Sequence, residues 1–183
     1  MVNTDRGVPG AGPVGQSGGV TEPVTLRPPR NLVSPRAVPY WRLRAAAGWL
    51  PVLIAGTVVL VLVPDRPWWA GWAAALVVLV AVVHVVVMPQ WRYRVHRWEV
   101  TPDAVYTQAG WLSQERRIAP TSRIQTVDTE RGPLEQLFGL SKVTVTTASA
   151  AGPLWIHGLD HTTAQRMADE LTATTQATPG DAT

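Results

Sequence analysis

AAAGWLPVLIAGTVVLVLVPDRPWWAGWAAALVVLVAVVHVVVM, residues 45–88, holds two long apolar runs separated only by Pro64-Asp65-Arg66-Pro67. The first run, Ala45 to Val63, has no charged residue, and the second, Trp68 to Met88, has His84 as its one titratable group. Each is about 20 residues long, which at about 1.5 Å per residue matches the ~30 Å of a hydrocarbon core. A buried pair of helices in a soluble core would be shorter and apolar on one face, whereas these runs are apolar on every face. Four residues cannot cross a bilayer, so the expected structure is a transmembrane helical hairpin that enters and leaves by one side.

The flanks agree. Tyr40, Trp41 and Trp49 open the first span, Trp68, Trp69 and Trp72 open the second, and Trp91 and Tyr93 follow it. Aromatic rings with a polar edge collect at headgroup depth. Arg27, Arg30, Arg36, Arg42 and Arg44 precede the first span and Arg92, Arg94 and Arg97 follow the second, while Asp65 and Arg66 cancel in the turn. The positive-inside rule therefore puts both termini in the cytoplasm. The arginine, alanine and valine bias resembles that of a high-GC bacterial genome, so the expected location is a bacterial cell membrane. The first span reads as a signal-anchor, because a second span follows it at once.

Composition sharpens the division. A mean hydropathy of only +0.05 averages greasy helices with an ordinary polar domain. The chain has no cysteine, which excludes disulfides and thiolate chemistry. Its net charge of +3 rests on arginine, with Lys142 the only lysine, and much of that arginine flanks the spans. Such a distribution sets topology and gives no basic stripe for nucleic acid. Residues 1–39, rich in Gly and Pro without periodicity, read as a disordered tail, as do 176–183. Between them lie the hairpin, 40–90, and a domain over 91–175, joined by a linker from Pro89 to Arg94.

In that domain short β-type runs alternate with turns. Strands are expected over Arg94–Thr101, Ala104–Gln108, from Trp111 or Leu112 to Ile118, Ile124–Glu130 and Lys142–Ala148, with a further one around Leu154–His157. Arg131-Gly132-Pro133 turns the chain into a short helical segment ending at Gly139. The last element is an amphipathic helix whose apolar face is Ala164, Met167, Ala168 and Leu171, started by Thr162 with Gln165 or by Asp160. Six strands and one terminal helix suggest a strongly bent antiparallel sheet plugged by that helix.

The run Arg117-Ile118-Ala119-Pro120-Thr121-Ser122-Arg123-Ile124-Gln125, then Gly132-Pro133-Leu134 through Leu137-Phe138-Gly139-Leu140, resembles the bacterial pleckstrin-homology (PH) domain of YdbS-type membrane proteins. Val143 to Ala148 and Gly158-Leu159-Asp160 carry the same resemblance, as does the order of two spans and then the domain. The resemblance implies a small PH-like antiparallel β-barrel capped by a C-terminal helix. It carries over no catalytic residue and no cofactor. It suggests as partner a larger membrane protein with further domains of the same type. The residues themselves read Leu134, Leu137, Phe138 and Leu140 as packing a helical turn against the barrel.

Eukaryotic phosphoinositide binders place basic residues in the loop between their first two strands. Here that loop, Thr101-Pro102-Asp103-Ala104, has none. Arg116, Arg117 and Arg123 remain as candidate contacts for an anionic lipid or a partner, each basic group near a cytoplasmic leaflet contributing about 1 kcal/mol. His84, without an intramembrane carboxylate, is expected to pack or to hydrogen-bond between the helices and not to relay protons. His157 and His161 straddle a turn with no cluster to complete a metal set. Neither a phosphate loop nor His-Glu-x-x-His is present, and Asp128, Glu130 and Glu135 pair with no convincing general acid. The reading is a membrane-anchored interaction module without enzymatic activity, a subunit of an envelope complex. Its rivals are an anionic-lipid-sensing surface and a subunit of a small transport assembly.

Overall fold

A computed structural model describes residues 28–150 and 152–177. Two helices of 26 residues, α1 (Ala37–Leu62) and α2 (Ala70–Val95), pack side by side, each long and apolar enough to cross a membrane. Apolar side chains cover them on all sides and stay exposed, as neither helix has a polar face. The connection between them runs from Val63 to Trp69, and Arg66 donates to the carbonyl of Leu60, closing the open end of α1.

Both helices outrun the expected spans. α1 starts eight residues before Ala45 because Val33, Ala37, Tyr40 and Trp41 bury themselves in one cluster with Leu140. A two-residue strand, β1 (Asn31–Leu32), precedes it and pairs with Trp98 and Arg97. Residues 31–39 are thus part of the fold and not of a disordered tail; residues 1–27 lie outside the described residues. At the other end, Gln176 and Ala177 still belong to the terminal helix, and 178–183 lie outside the described residues. The expected linker from Pro89 to Arg94 is helix instead. Pro89 removes one hydrogen bond from the interior of α2, a cost of about 3 kcal/mol. Burial of Pro89 and Val95 offsets it.

The domain strands follow as β2 (Arg97–Val100), β3 (Ala104–Gly110), β4 (Gln114–Pro120), β5 (Ile124–Glu130), β6 (Leu140–Thr147) and β7 (Leu154–Asp160). A 3-10 turn at Thr121–Arg123 separates β4 from β5, and a one-turn helix α3 (Pro133–Leu137) separates β5 from β6. The terminal helix α4 (His161–Ala177) starts one residue after Asp160 and buries Ala164, Met167 and Leu171. Alternation places Val143 and Val145 of β6 inward against Leu154 and Ile156 of β7, Val105 of β3 and Leu171.

The expected closed barrel is not formed. All pairings are antiparallel, but they make two sheets, β1-β2-β3-β4 and β5-β6-β7, packed across one core. The base of α1 fills one seam between them. Ser34 N–H donates to Gly158 O at 2.8 Å, and Gly158 in β7 has φ +77°. A Cβ on Gly158 would stand 2.9 Å from that of Ala37 and 3.4 Å from the Trp41 ring. Glycine is required there twice, by the backbone and by the close approach. Between β4 and the entry to β7, Arg117 donates to Pro153 O at 2.6 Å.

Candidate functional site

Where α2 ends in the domain, one turn of helix builds a polar junction. Arg92 Nε donates to His96 Nε2 at 3.3 Å, and His96 Nδ1 lies 2.9 Å from Arg92 O. That geometry fits a neutral imidazole with its proton on Nδ1. The Arg92 guanidinium lies over the Trp41 ring at 4.5 Å, and Trp41 also meets the His96 ring at 5.2 Å. Burial, then the Arg92 charge, pushes His96 down to about 4. His157 of β7 is lowered too, first by burial and then by Arg92.

Arg92, His96 and His157 share a cavity of about 360 Å3 with Glu115, Arg117 and Trp155. Arg117 is held by Glu115 at 3.0 Å, so the cavity carries two guanidiniums and one carboxylate, with both imidazoles neutral at pH 7. Trp111, in the β3–β4 turn, forms part of its wall.

Trp111 also walls a second, apolar groove of about 540 Å3 along α1 and α2, with Trp49, Leu79, Val83, His84 and Val87. Two contacts hold it there, and a third holds the imidazole on which it stacks. Trp91 Nε1 donates to Trp111 O at 2.9 Å, His84 stacks on Trp111, and Trp49 Nε1 donates to His84 Nδ1 at 2.8 Å. Of the two roles expected of His84, packing or an interhelical hydrogen bond, the bond from Trp49 supplies the second. Leu112, beside Trp111 in the turn, is 83% exposed.

A third concavity, about 860 Å3 and open, lies between the β1–α1 corner and the start of α4. Arg30, Arg36, Arg97 and Arg166 line it around Leu32 and Trp98. Asp160 meets Arg36 at 3.2 Å and Glu99 meets Arg30 at 3.6 Å.

The candidates read from sequence are dispersed. Arg117 and Arg123 line one cleft of about 170 Å3 between β4 and the β6–β7 turn, whereas Arg116 stands exposed on β4 opposite Gln108. Gly132 N–H donates to Glu135 at 2.7 Å, Pro133 takes the first position of α3, and Gly139 follows it at φ +67°. Leu140 is fully buried, and Phe138 meets Tyr40 edge to face at 6.0 Å. Leu134 and Leu137 do not pack as expected. Leu137 is 75% exposed, because a five-residue helix has too few turns to bury every apolar side chain. His157 and His161 part company, the first facing the polar cavity and the second 3.1 Å from Ser141 Oγ. Among the described residues no cluster of His, Asp and Glu has the makings of a metal site.

Reasoning from sequence missed Arg92, His96 and Glu115, and the arginines of the open groove. They come from elements far apart in the chain, and no local spacing marks them. The one available signal was the excess of arginine beside the spans, which reads equally as topogenic.

Two apolar helices leading into antiparallel sheets and a terminal helix define a membrane-associated PH-like module. The family model described as the bacterial PH domain matches residues 45–175. The chain is 31% identical over 156 residues to the transmembrane protein YdbS of Bacillus subtilis (strain 168), covering 84% of this chain and 97% of that protein. It belongs to the bacterial PH-domain family and is YdbS-like. No solved structure matches it significantly.

Proposed function

We propose that α1 and α2 form a two-span hairpin with both termini cytoplasmic, and that the PH-like module is a docking platform held against the inner leaflet. In this reading the chain is an interaction subunit of an envelope-associated complex and performs no catalysis. The length and all-round apolarity of the helices, the aromatic flanks and the arginines at one end support the hairpin. Continuous helix through Pro89 and the burial of Ala37, Tyr40 and Trp41 support a fixed orientation. A module on a flexible linker would present any face; this one presents the same face always.

The open arginine groove carries the docking reading. Its four guanidiniums are only partly balanced by Asp160 and Glu99, and Leu32 and Trp98 give it an apolar floor. It sits at the start of α1, about 12 Å below Ala45 along the helix and so away from the hydrocarbon. An acidic, partly apolar segment of a partner suits it by charge and by shape. A larger membrane protein with further domains of this type is the partner the reading favours.

The test is purification of the tagged full-length chain from its native membrane in mild detergent. A stoichiometric membrane partner is expected, lost on combined charge reversal of Arg30, Arg97 and Arg166 to Glu and kept in His84→Ala. A chain that arrives alone, or a partner indifferent to the reversal, contradicts docking through this groove.

A further inference from the structure

The polar cavity at the end of α2 and the apolar groove above it are separate concavities with one common wall, Trp111. From Val83 in the groove to Arg92 in the cavity is nine residues of α2, about 14 Å of rise. That is the span from the upper acyl chain of a glycerophospholipid to its phosphate. Greasy surface and cationic pocket thus follow each other along one helix in the order that a lipid of the inner leaflet presents.

We propose that these two concavities are one binding site for a single anionic phospholipid. Its acyl chain lies against Val83, Val87 and Trp49, and its phosphodiester meets Arg92 and Arg117. The charge balance selects the ligand. The cavity lining brings two guanidiniums and one carboxylate, a cationic balance that suits a phosphodiester. A choline headgroup would bring its own cation to that positive cavity, so phosphatidylglycerol is favoured over phosphatidylcholine. Neutral His96 and His157 add polar groups without adding charge. Trp111 and the exposed Leu112 place the β3–β4 turn at the junction of chain and headgroup, the depth that indole rings favour. Arg117 also lines the β4 cleft with Arg123, whereas the arginine groove assigned to a partner shares no residue with the site.

The inference rests on the hairpin reading, and the experiment separates the two. The full-length chain is reconstituted into phosphatidylcholine nanodiscs containing a minority of phosphatidylglycerol, then released and weighed by native mass spectrometry. One retained phosphatidylglycerol per chain is expected, in preference to phosphatidylcholine. Two substitutions attack the two halves: Arg117→Gln removes a guanidinium, and Val83→Trp fills the groove from an exposed helix face that supports no core. Each should weaken retention by about tenfold or more, the worth of a charge-assisted hydrogen bond or of an excluded chain. Helix content and a monodisperse profile establish that both variants fold. Equal retention of the two lipids, or variants that retain phosphatidylglycerol as well as the parent, overturn the site. Binding of inorganic phosphate that matches the lipid and ignores Val83→Trp overturns the lipid in favour of a soluble anion. A chain that does not enter nanodiscs contradicts the hairpin itself, whereas one that enters and retains no phosphatidylglycerol contradicts the lipid site alone.

Discussion

His84 stacks on Trp111 with ring centroids 5.9 Å apart and 29° between planes, joining the middle of α2 to the turn between β3 and β4. Trp49 completes the set from α1, so three elements converge on one imidazole. The domain therefore grips the hairpin at two levels, here and at the Trp41–Arg92–His96 stack below.

Replacing His84→Ala should loosen this upper level modestly. Hydrogen bonds between helices in lipid are worth about 1 kcal/mol, and the lost ring contact adds a similar amount. Thermal unfolding in detergent is expected to shift down by a few degrees with the protein still monodisperse. A variant that no longer folds would show that His84 does more than fasten helices together.

Gly158→Ala strikes the seam between β7 and α1. The left-handed backbone costs about 1–2 kcal/mol with a Cβ, and crowding against Ala37 and Trp41 adds about 1–3 kcal/mol. Faster hydrogen exchange at Ala37–Trp41 than at the α4 core is the expected signature. Unchanged exchange at Ala37–Trp41 would mean that the base of α1 is not docked there.

Leu171→Ala opens a cavity under α4, where Leu171 is 1% exposed among Val143, Met167 and their neighbours. A loss of about 2–5 kcal/mol follows from removing a buried leucine side chain. Denaturant unfolding of the parent and variant measures it. A loss below about 1 kcal/mol would place α4 on the surface of the domain instead of in its core.

Acid should destabilise the domain through its imidazoles. His96 titrates at about 4 in the folded chain against 6.5 when free, so the unfolded chain binds more protons between these values. Its contribution is complete above pH 6.5 and is lost as the pH falls towards 4, by up to about 3 kcal/mol. His157 works in the same direction. His96→Gln keeps a polar side chain that does not titrate, and its unfolding free energy should fall less steeply over that window. Parallel pH curves for parent and variant would exclude His96 as the source.

Much of the architecture was legible because its signals are local. The apolar runs are longer than any soluble helix needs, β6 alternates in period two, and Ala164, Met167 and Leu171 repeat in period 3.6. Elements that depend on distant partners were hidden. β1 is two residues that become a strand only because Arg97 and Trp98 lie beside them. Pro89 looks like a helix end in sequence and is overruled by burial. Closure of the barrel could not be judged from strand count, as the base of α1 packs beside β7 at Gly158. Of the site, Arg117 was singled out on its own strand, but Arg92, His96 and His157 meet it only through the fold. The exposed Leu137 shows the same limit from the other side, an apolar residue at helical spacing that finds nothing to pack on.

The hairpin is the foundation of the whole reading, and the chain's lack of cysteine makes it directly testable. Single cysteines at Asp65→Cys, in the turn between the helices, and Gln165→Cys, on the exposed side of α4, would be probed in intact cells with a membrane-impermeant maleimide. The hairpin reading predicts that Asp65→Cys is labelled at once and Gln165→Cys only after the membrane is opened. Labelling of both in intact cells, of Gln165→Cys alone, or of neither until the membrane is opened, would contradict it.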